Sequence, residues 1–245
     1  SNNLAYMQAV EKLAMIEVPE RGMYLRVISA ELMRVASHLV ATGFFLQDLG
    51  AMGTPLMYCF RERERILDLF EMLCGARITL SYMRPGGVLQ DAPSDFWPAL
   101  DDFISSMPGY IDDLEKLITQ NEIVLARTRG VGVLGDQSAL ENSVTGPMLR
   151  AAGVKWDLRK ADPYEIYDRL EFDVPIGTSG DTYDRYLVRI LEMRESIKII
   201  EQCLKQLPTG PVRTESPFNL RPPVGEAYSA VEGPKGELGF YLVSD

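Results

Sequence analysis

Few side chains in this sequence combine the residue types that chemistry needs with a spacing that chemistry can use. The 245 residues contain one histidine, His38, and three cysteines, Cys59, Cys74 and Cys203. A metal centre asks for two or more imidazole or thiolate ligands, or several convergent carboxylates. His38 has neither an HxxxH nor a CxxC companion and reads as a structural histidine in a mostly apolar helix. The cysteines lie at least 15 positions apart, which excludes a CxxC redox pair, a disulfide-rich scaffold and a four-thiolate cluster built by this chain alone. Gly130-Val-Gly-Val-Leu-Gly135 has the GxGxxG form, yet a dinucleotide site needs it directly after the first strand of a βαβ unit. Here it follows a long helix, and Pro147 and Gly153 interrupt the stretch where a second strand belongs. Ser37, His38 and Asp48 do not make a hydrolase triad, and no GxSxG occurs.

Two charged residues stand out by position. Asp48 ends a strongly apolar helix, where the helix dipole disfavours an acid, so it is either exposed at a fraying end or held there for function. Arg84 opens the turn Arg84-Pro-Gly-Gly87, which reads first as a structural stop after a buried helix. Projecting from that end, its guanidinium could pair with a carboxylate or face an anion.

The elements that position these residues are mostly helices. Leu4 to Met15 is periodic, with Leu4, Val10, Leu13 and Ala14 near one stripe. A second helix starts at Pro19 or Glu20 and runs to Leu46, with Ile28, Leu32, Ala36, Leu39 and Val40 inward. A third runs from the Gly50, Gly53 and Pro55 link to Tyr82. A fourth spans Ser94 to Ala126 with a break expected at Pro108-Gly109. In the second half, Gly130 to Leu134 reads as a short β-like run, Ser138 to Glu141 as a helical turn, and 146–153 as loop with a short helix. A fifth long helix covers Asp181 to Leu207. Arg213 to Ala230 reads as extended, and Leu238 to Val243 as a strand. The fold class is mainly α (α+β), a long-helix bundle with short strands in the second half. The chain divides into a helical core over 1–127, a loop-rich segment over 128–180, a long core helix over 181–208 and an extended Pro/Gly-rich segment with a terminal strand over 209–245, all in one domain.

Composition sets outer limits. Hydrophobic residues make up 46% and charged residues 24%, the balance of a globular chain. The formal charge of −10 works against nucleic-acid binding. No apolar run reaches the length of a transmembrane segment, and the opening SNNLAYMQAVEKL lacks the basic and apolar regions of a signal peptide.

A set of ordered blocks then carries a resemblance. Asn2-Asn-Leu-Ala-Tyr6, Val10-Glu-Lys-Leu13, Glu17-Val-Pro-Glu-Arg21, Glu31-Leu-Met-Arg-Val-Ala-Ser-His-Leu39, Gly75-Ala-Arg77 and Tyr82-Met-Arg-Pro-Gly-Gly-Val88 come first. Gly153-Val-Lys-Trp-Asp-Leu-Arg-Lys160, Tyr164 to Asp168, Phe172-Asp-Val-Pro175, Gly180-Asp181, Tyr183-Asp-Arg-Tyr186 and Glu237-Leu-Gly-Phe-Tyr-Leu242 follow in order. Together they closely resemble the 49-kDa-type subunit of proton-pumping NADH:quinone oxidoreductase, respiratory complex I, a family whose helical core is shared with the large subunit of nickel–iron hydrogenases.

The resemblance implies a peripheral, cytoplasmic-side subunit of a membrane-bound oxidoreductase and translocase. It would form the quinone-reduction chamber with the B-type iron–sulfur subunit, which holds the terminal 4Fe–4S cluster. It would also meet the C-type subunit and the H-type subunit of the membrane arm. NADH would bind far away on other subunits, and no cofactor is expected on this chain. By motif, Asp48 matches the family aspartate before a Gly-Ala pair that lines the quinone region and relays protonation, so the resemblance tips Asp48, with Gly50 beside it, toward function. An acid in an apolar chamber has raised proton affinity. Arg34 and His38 match core residues that support the chamber. Arg84, Gly86 and Gly87 match the turn that faces the cluster-bearing partner. Asp181, Asp184 and Arg185 would organise the start of the fifth helix and its interface.

Two departures matter. Many family members carry a histidine where this chain has Thr79, and threonine cannot take up a proton when the cluster is reduced. The expectation is a lower, less pH-dependent cluster potential and a menaquinone-type acceptor. The family also has an N-terminal β-rich region, supplying a histidine and a tyrosine to the quinone headgroup, and a C-terminal closing segment. Both would lie outside this chain, leaving a middle fragment that catalyses nothing alone. The alternatives are the equivalent subunit of a ferredoxin- or F420-linked quinone or phenazine reductase, or of a membrane-bound hydrogenase with metal-ligating cysteines near both ends of its gene, and a non-catalytic helical scaffold.

Overall fold

A computed structural model describes residues 1–51, 53–217 and 219–245. Its centre is α2 (Glu20–Asp48), which runs without glycine or proline from Met23 to Thr42. Around it close α3 (Thr54–Cys74), α4 (Phe96–Ile118) and α9 (Thr182–Gln206), each touching the next, so that α2, α3, α4 and α9 form a ring of four. Leu32, Leu39, Ile66, Phe70, Phe103, Met107, Ile190 and Ile197 fill the space between them. Each such side chain contributes about 1.5–3 kcal/mol of hydrophobic stabilisation when fully buried. Close approach of α2 to α3 depends on Gly43, where a Cβ would stand 3.2 Å from that of Cys59.

Helix α1 (Asn2–Ala14) buries Leu4, Ala5, Ala9 and Leu13. It packs on the antiparallel hairpin of β3 (Gly225–Gly233) and β4 (Gly236–Ser244). The hairpin pairs Gly225 with Ser244 through Gly233 with Gly236 and turns at Pro234-Lys235. A smaller hairpin, β1 (Met83–Arg84) with β2 (Gly87–Val88), lies beside α1 and α2. Short helices α5 (Glu122–Thr128), α6 (Asp136–Glu141), α7 (Gly146–Ala151) and α8 (Leu158–Ala161) and a 3₁₀ turn at Tyr167–Arg169 link the first half to α9. The protein is mainly α.

The structure corrects several sequence expectations. The third helix ends at Cys74 and not at Tyr82, because Gly75 takes a left-handed φ of 72° and closes the last turn onto the Glu71 carbonyl. Arg84-Pro-Gly-Gly87 is therefore not a helix stop but the turn of a hairpin. The fourth helix passes straight through Pro108, since Phe103, Ile104, Met107, Ile111 and Leu114 keep one unbroken buried stripe. It breaks later, where the Asn121 side chain accepts from the amides of Ile123 and Val124 and starts α5. Gly130 to Leu134 is loop, its carbonyls and amides taken up by the start of α9. Within the segment read as extended, 225–230 belongs to β3, and Phe218 lies outside the described residues.

Candidate functional site

The residues singled out from sequence fall at four separate places. The first is a fully buried ionic network around Arg34 and His38. Both project from α2, one helical turn apart. Arg34 donates through Nη1 and Nη2 to the carbonyls of Gly233 and Glu232, at 3.2 and 2.6 Å, and through Nε to Glu31 at 3.2 Å. Glu31 is also held by Arg159, by the Tyr167 hydroxyl at 2.6 Å and by Ser196 Oγ at 2.6 Å. Arg159 grips Asp157 through Nε and Nη2. Arg150 bridges Glu192 at 2.7 Å and Glu232 at 2.9 Å, and His38 Nε2 meets the other oxygen of Glu192 at 2.7 Å.

Charge in such a place survives only when paired. Burial alone would raise the Glu31 carboxyl, but Arg34 and Arg159 outweigh it and hold the group at about 2. Glu192 is likewise displaced downward, against burial, by its bond with His38 and the charge of Arg150. Burial pushes His38 below the ordinary imidazole range despite Glu192, so the ring is neutral and donates Nε2–H to that carboxylate. Glu31, Asp157 and Arg159 fall inside the ordered blocks of the resemblance, yet neither they nor Arg150, Glu192 and Glu232 are singled out by sequence reasoning. Their contacts to one another span up to 128 residues of chain, and no local spacing marks them.

The second place is the turn of the small hairpin. Gly86 N–H donates to Glu11 at 2.8 Å, and the same carboxylate pairs with Arg26. Arg26 reaches the carbonyls of Arg84 and Gly87 and the carboxylate of Glu165. Gly87 has φ +149°, and a Cβ there would come within 2.1 Å of the Val212 carbonyl oxygen. Arg84 itself is half-buried, and its Nε is buried with no partner among the described residues.

The third is the start of α9. Asp184 accepts from the amides of Thr178, Ser179 and Gly180, while Asp181 accepts from Asp184 N–H and Gly130 N–H. Arg185 donates to the carbonyls of Gly132 and Gly180. Gly130 and Gly132 both have positive φ, so the GxGxxG-like run is a clamp on a helix end.

The fourth is the open end of the bundle. Asp48 is the last residue of α2 and is exposed, as is Gly50. The apolar enclosure expected for its carboxyl is not supplied by the described residues of this chain, because α2 runs out there into solvent. Arg127, another residue the sequence does not single out, donates to the Leu49 carbonyl at 2.6 Å and caps that end. One turn before Asp48, Phe44 is exposed and meets Phe60 of α3 edge-to-face at 5.8 Å. Met57 and Tyr58 extend the uncovered apolar surface along α3.

Thr79 lies elsewhere, exposed on the rim of a cavity of about 730 Å³ that Ser29, Met33, Phe70 and Leu238 also line. Among the described residues, no group of three or more His, Cys, Asp or Glu side chains is placed to hold a metal ion, and no helix is long and apolar enough to cross a membrane.

Comparison with known proteins accounts for the ordered blocks. The family model described as respiratory-chain NADH dehydrogenase, 49 Kd subunit, matches residues 48–222. A protein of Dehalococcoides mccartyi, named as the D subunit of an NADH-quinone oxidoreductase, is 58% identical over 245 residues, which is all of this chain and 67% of that protein. One from Roseiflexus, likewise named as a D subunit of that oxidoreductase, is 52% identical over 100% of this chain and 68% of its own length. Another, from Clostridium beijerinckii and of the same name, is 52% identical, with 100% and 66% covered. At this identity over its whole length, the chain belongs to the 49-kDa subunit family of respiratory-chain NADH dehydrogenases.

Proposed function

We propose that this chain forms one wall of a quinone-reduction chamber in a membrane-bound NADH:quinone oxidoreductase, with Asp48 as the acid that exchanges protons with the reduced quinone. The observation that carries this reading is the pairing of an exposed carboxylate with an uncovered apolar surface at the same end of the bundle. Phe44 and Asp48 lie four residues apart on α2 and so share one face, and Phe60 and Met57 continue it across α3. Apolar side chains of this size left open on a helical core mark a surface meant to be covered. A partner subunit closing over them would desolvate Asp48 and raise its proton affinity.

The cluster that delivers electrons would belong to that partner, the B-type iron–sulfur subunit. Arg84 fits a place facing it, since it stands half-buried on the hairpin turn with an Nε that has no partner among the described residues. The cluster supplies single electrons. This chain's part is to shape the chamber, exclude water and hold the proton on Asp48. The His38–Glu192 and Arg34–Glu31 network keeps α2 and α9 in fixed register behind that wall. Contacts with the C-type and H-type subunits, a peripheral place on the cytoplasmic face, a core of the nickel–iron hydrogenase type and a menaquinone acceptor complete the reading.

The test is NADH-dependent menaquinone reduction by the assembled complex, wild type against Asp48→Asn. Turnover should fall at least tenfold while the complex stays intact and NADH still reduces the terminal cluster. Unchanged turnover would remove Asp48 from the chemistry. Turnover with reduced ferredoxin but not with NADH would keep the chamber and change the donor.

A further inference from the structure

A second, smaller cavity of about 250 Å³ opens between α2, α7 and the first turns of α9, lined by Thr42, Phe45, Met148, Arg185, Tyr186 and Arg189. Two observations there are independent of the quinone reading. Thr42 is 2% exposed, and its Oγ1 is buried with no hydrogen-bond partner among the described residues. Arg189 makes one hydrogen bond among them, from Nη1 to the Arg185 carbonyl at 2.5 Å, and has no ion pair there. Arg185 is also without a carboxylate among them, its guanidinium given to two carbonyls and the Thr182 hydroxyl.

Positive charge therefore gathers in a partly enclosed space with no direct ion pair to Arg185 or Arg189 among the described residues. Burial pushes the Arg189 guanidinium below its usual range, and Arg185 and Arg150 add to that, against the opposing effect of Glu192. The Glu192 oxygens are already committed to His38 and Arg150. Guanidinium presents planar N–H donors that match the two oxygens of a carboxylate, and a hydroxyl lining the same cavity can donate a third bond. The remaining walls are Phe45 stacked on Tyr186, with ring centroids 6.0 Å apart, and Met148. They suit a small apolar body, and the volume lies below that of sites for drug-sized ligands.

We propose that this cavity is a binding site for a carboxylate carrying a short apolar body, held by Arg189 and the Thr42 hydroxyl. The carboxylate could come from a small molecule or from a neighbouring stretch of polypeptide, and the chemistry of recognition is the same.

Sodium butyrate is the probe, titrated against sodium chloride at equal ionic strength while the melting temperature of the chain is followed. Butyrate should raise it saturably, as a ligand that binds only the folded state does, and n-butanol should not. In Arg189→Gln the butyrate shift should vanish, while the ligand-free protein melts no lower than the parent, because a half-buried cation with no ion pair among the described residues has been removed. Thr42→Val should weaken butyrate binding about tenfold, the loss of one hydrogen bond to a charged group. This variant keeps the test open if Arg189→Gln does not fold. Equal shifts with butyrate and chloride, or a butyrate shift that Arg189→Gln or Thr42→Val leaves intact, would overturn the site. In the assembled complex, a surviving butyrate shift assigns the natural ligand to a small molecule. A site already filled by polypeptide gives no shift there, and Arg189→Gln then lowers the melting temperature of the complex.

Discussion

His38 Nε2 and Glu192 Oε2 stand 2.7 Å apart in a pair that joins the middle of α2 to the middle of α9. Both residues are 1% exposed, and the other oxygen of Glu192 takes Arg150. The two helices are thus held by a neutral imidazole and a shared carboxylate as well as by apolar packing.

Removing the shared charge should cost far more than removing the ring. Glu192→Gln leaves Arg150 with less negative charge at a fully buried site, at a cost of about 3–5 kcal/mol. His38→Gln can still donate to Glu192 and should lose about 1–2 kcal/mol. Urea denaturation of the two variants checks the order. Equal, small losses would show that Glu232 and Asp157 together balance Arg150.

Stability should fall with acid in two stages. His38 has a folded pKa displaced below its unfolded value of 6.5, so unfolding gains a proton and stability drops as pH falls below about 6.5. Glu31 is depressed from 4.5 to about 2, so its contribution is complete above pH 4.5 and is lost as pH falls towards 2. Glu31's share of that second stage amounts to about 3 kcal/mol, and Glu192, also displaced downward, adds to it. Glu165, pushed up by burial against Arg26, acts in the opposite sense. A pH series of unfolding free energies should show both limbs in the wild type, and His38→Gln should lose the upper one only.

Two glycines should respond to alanine with opposite signs. Gly87→Ala would drive a methyl group into the Val212 carbonyl and force a positive φ on alanine, a loss of about 3 kcal/mol or a failure to fold. Gly109 lies within α4 with no atom within 4 Å of where a methyl group would sit, so Gly109→Ala should gain about 0.5–1 kcal/mol. Thermal melts of both settle the comparison, and a neutral Gly87→Ala would mean that the small hairpin is free to shift.

In the assembled complex, Thr79→His should make the terminal cluster potential pH-dependent. The imidazole can take up a proton as the cluster is reduced, moving the slope towards about 59 mV per pH unit, the one-proton, one-electron limit. Redox titrations at several pH values read this directly. A steep slope already present in the wild type would count against the expectation drawn from Thr79.

Much of the helical framework is legible in apolar periodicity, and the failures have physical causes. At Pro108 the local rule against proline in a helix loses to the unbroken stripe from Phe103 to Leu114. At Gly75 the stop signal is present, and the apolar Ile78 and Leu80 beyond it invite a longer helix. The β3–β4 hairpin is announced by Gly233-Pro-Lys-Gly236 between two β-prone runs, a turn signal masked by the proline-rich stretch before the first run. The ionic network is unreadable for a different reason. The resemblance places Arg34 and His38 in the core, but no local spacing links Glu31 to its partners, and only the fold brings Arg159 and Tyr167 to it. Asp48 is found by motif, while its exposure and the Arg127 cap beside it depend on tertiary structure.

Every residue of α2 from Tyr24 to Leu32 is buried, so two and a half turns of helix have no wet side. An amide in that stretch can trade its proton for deuterium only when the whole bundle opens, because no partial fraying reaches it. Its exchange rate is therefore a built-in clock for global opening, against which slower or faster breathing at the ends of α2, near Asp48, can be timed within the same molecule.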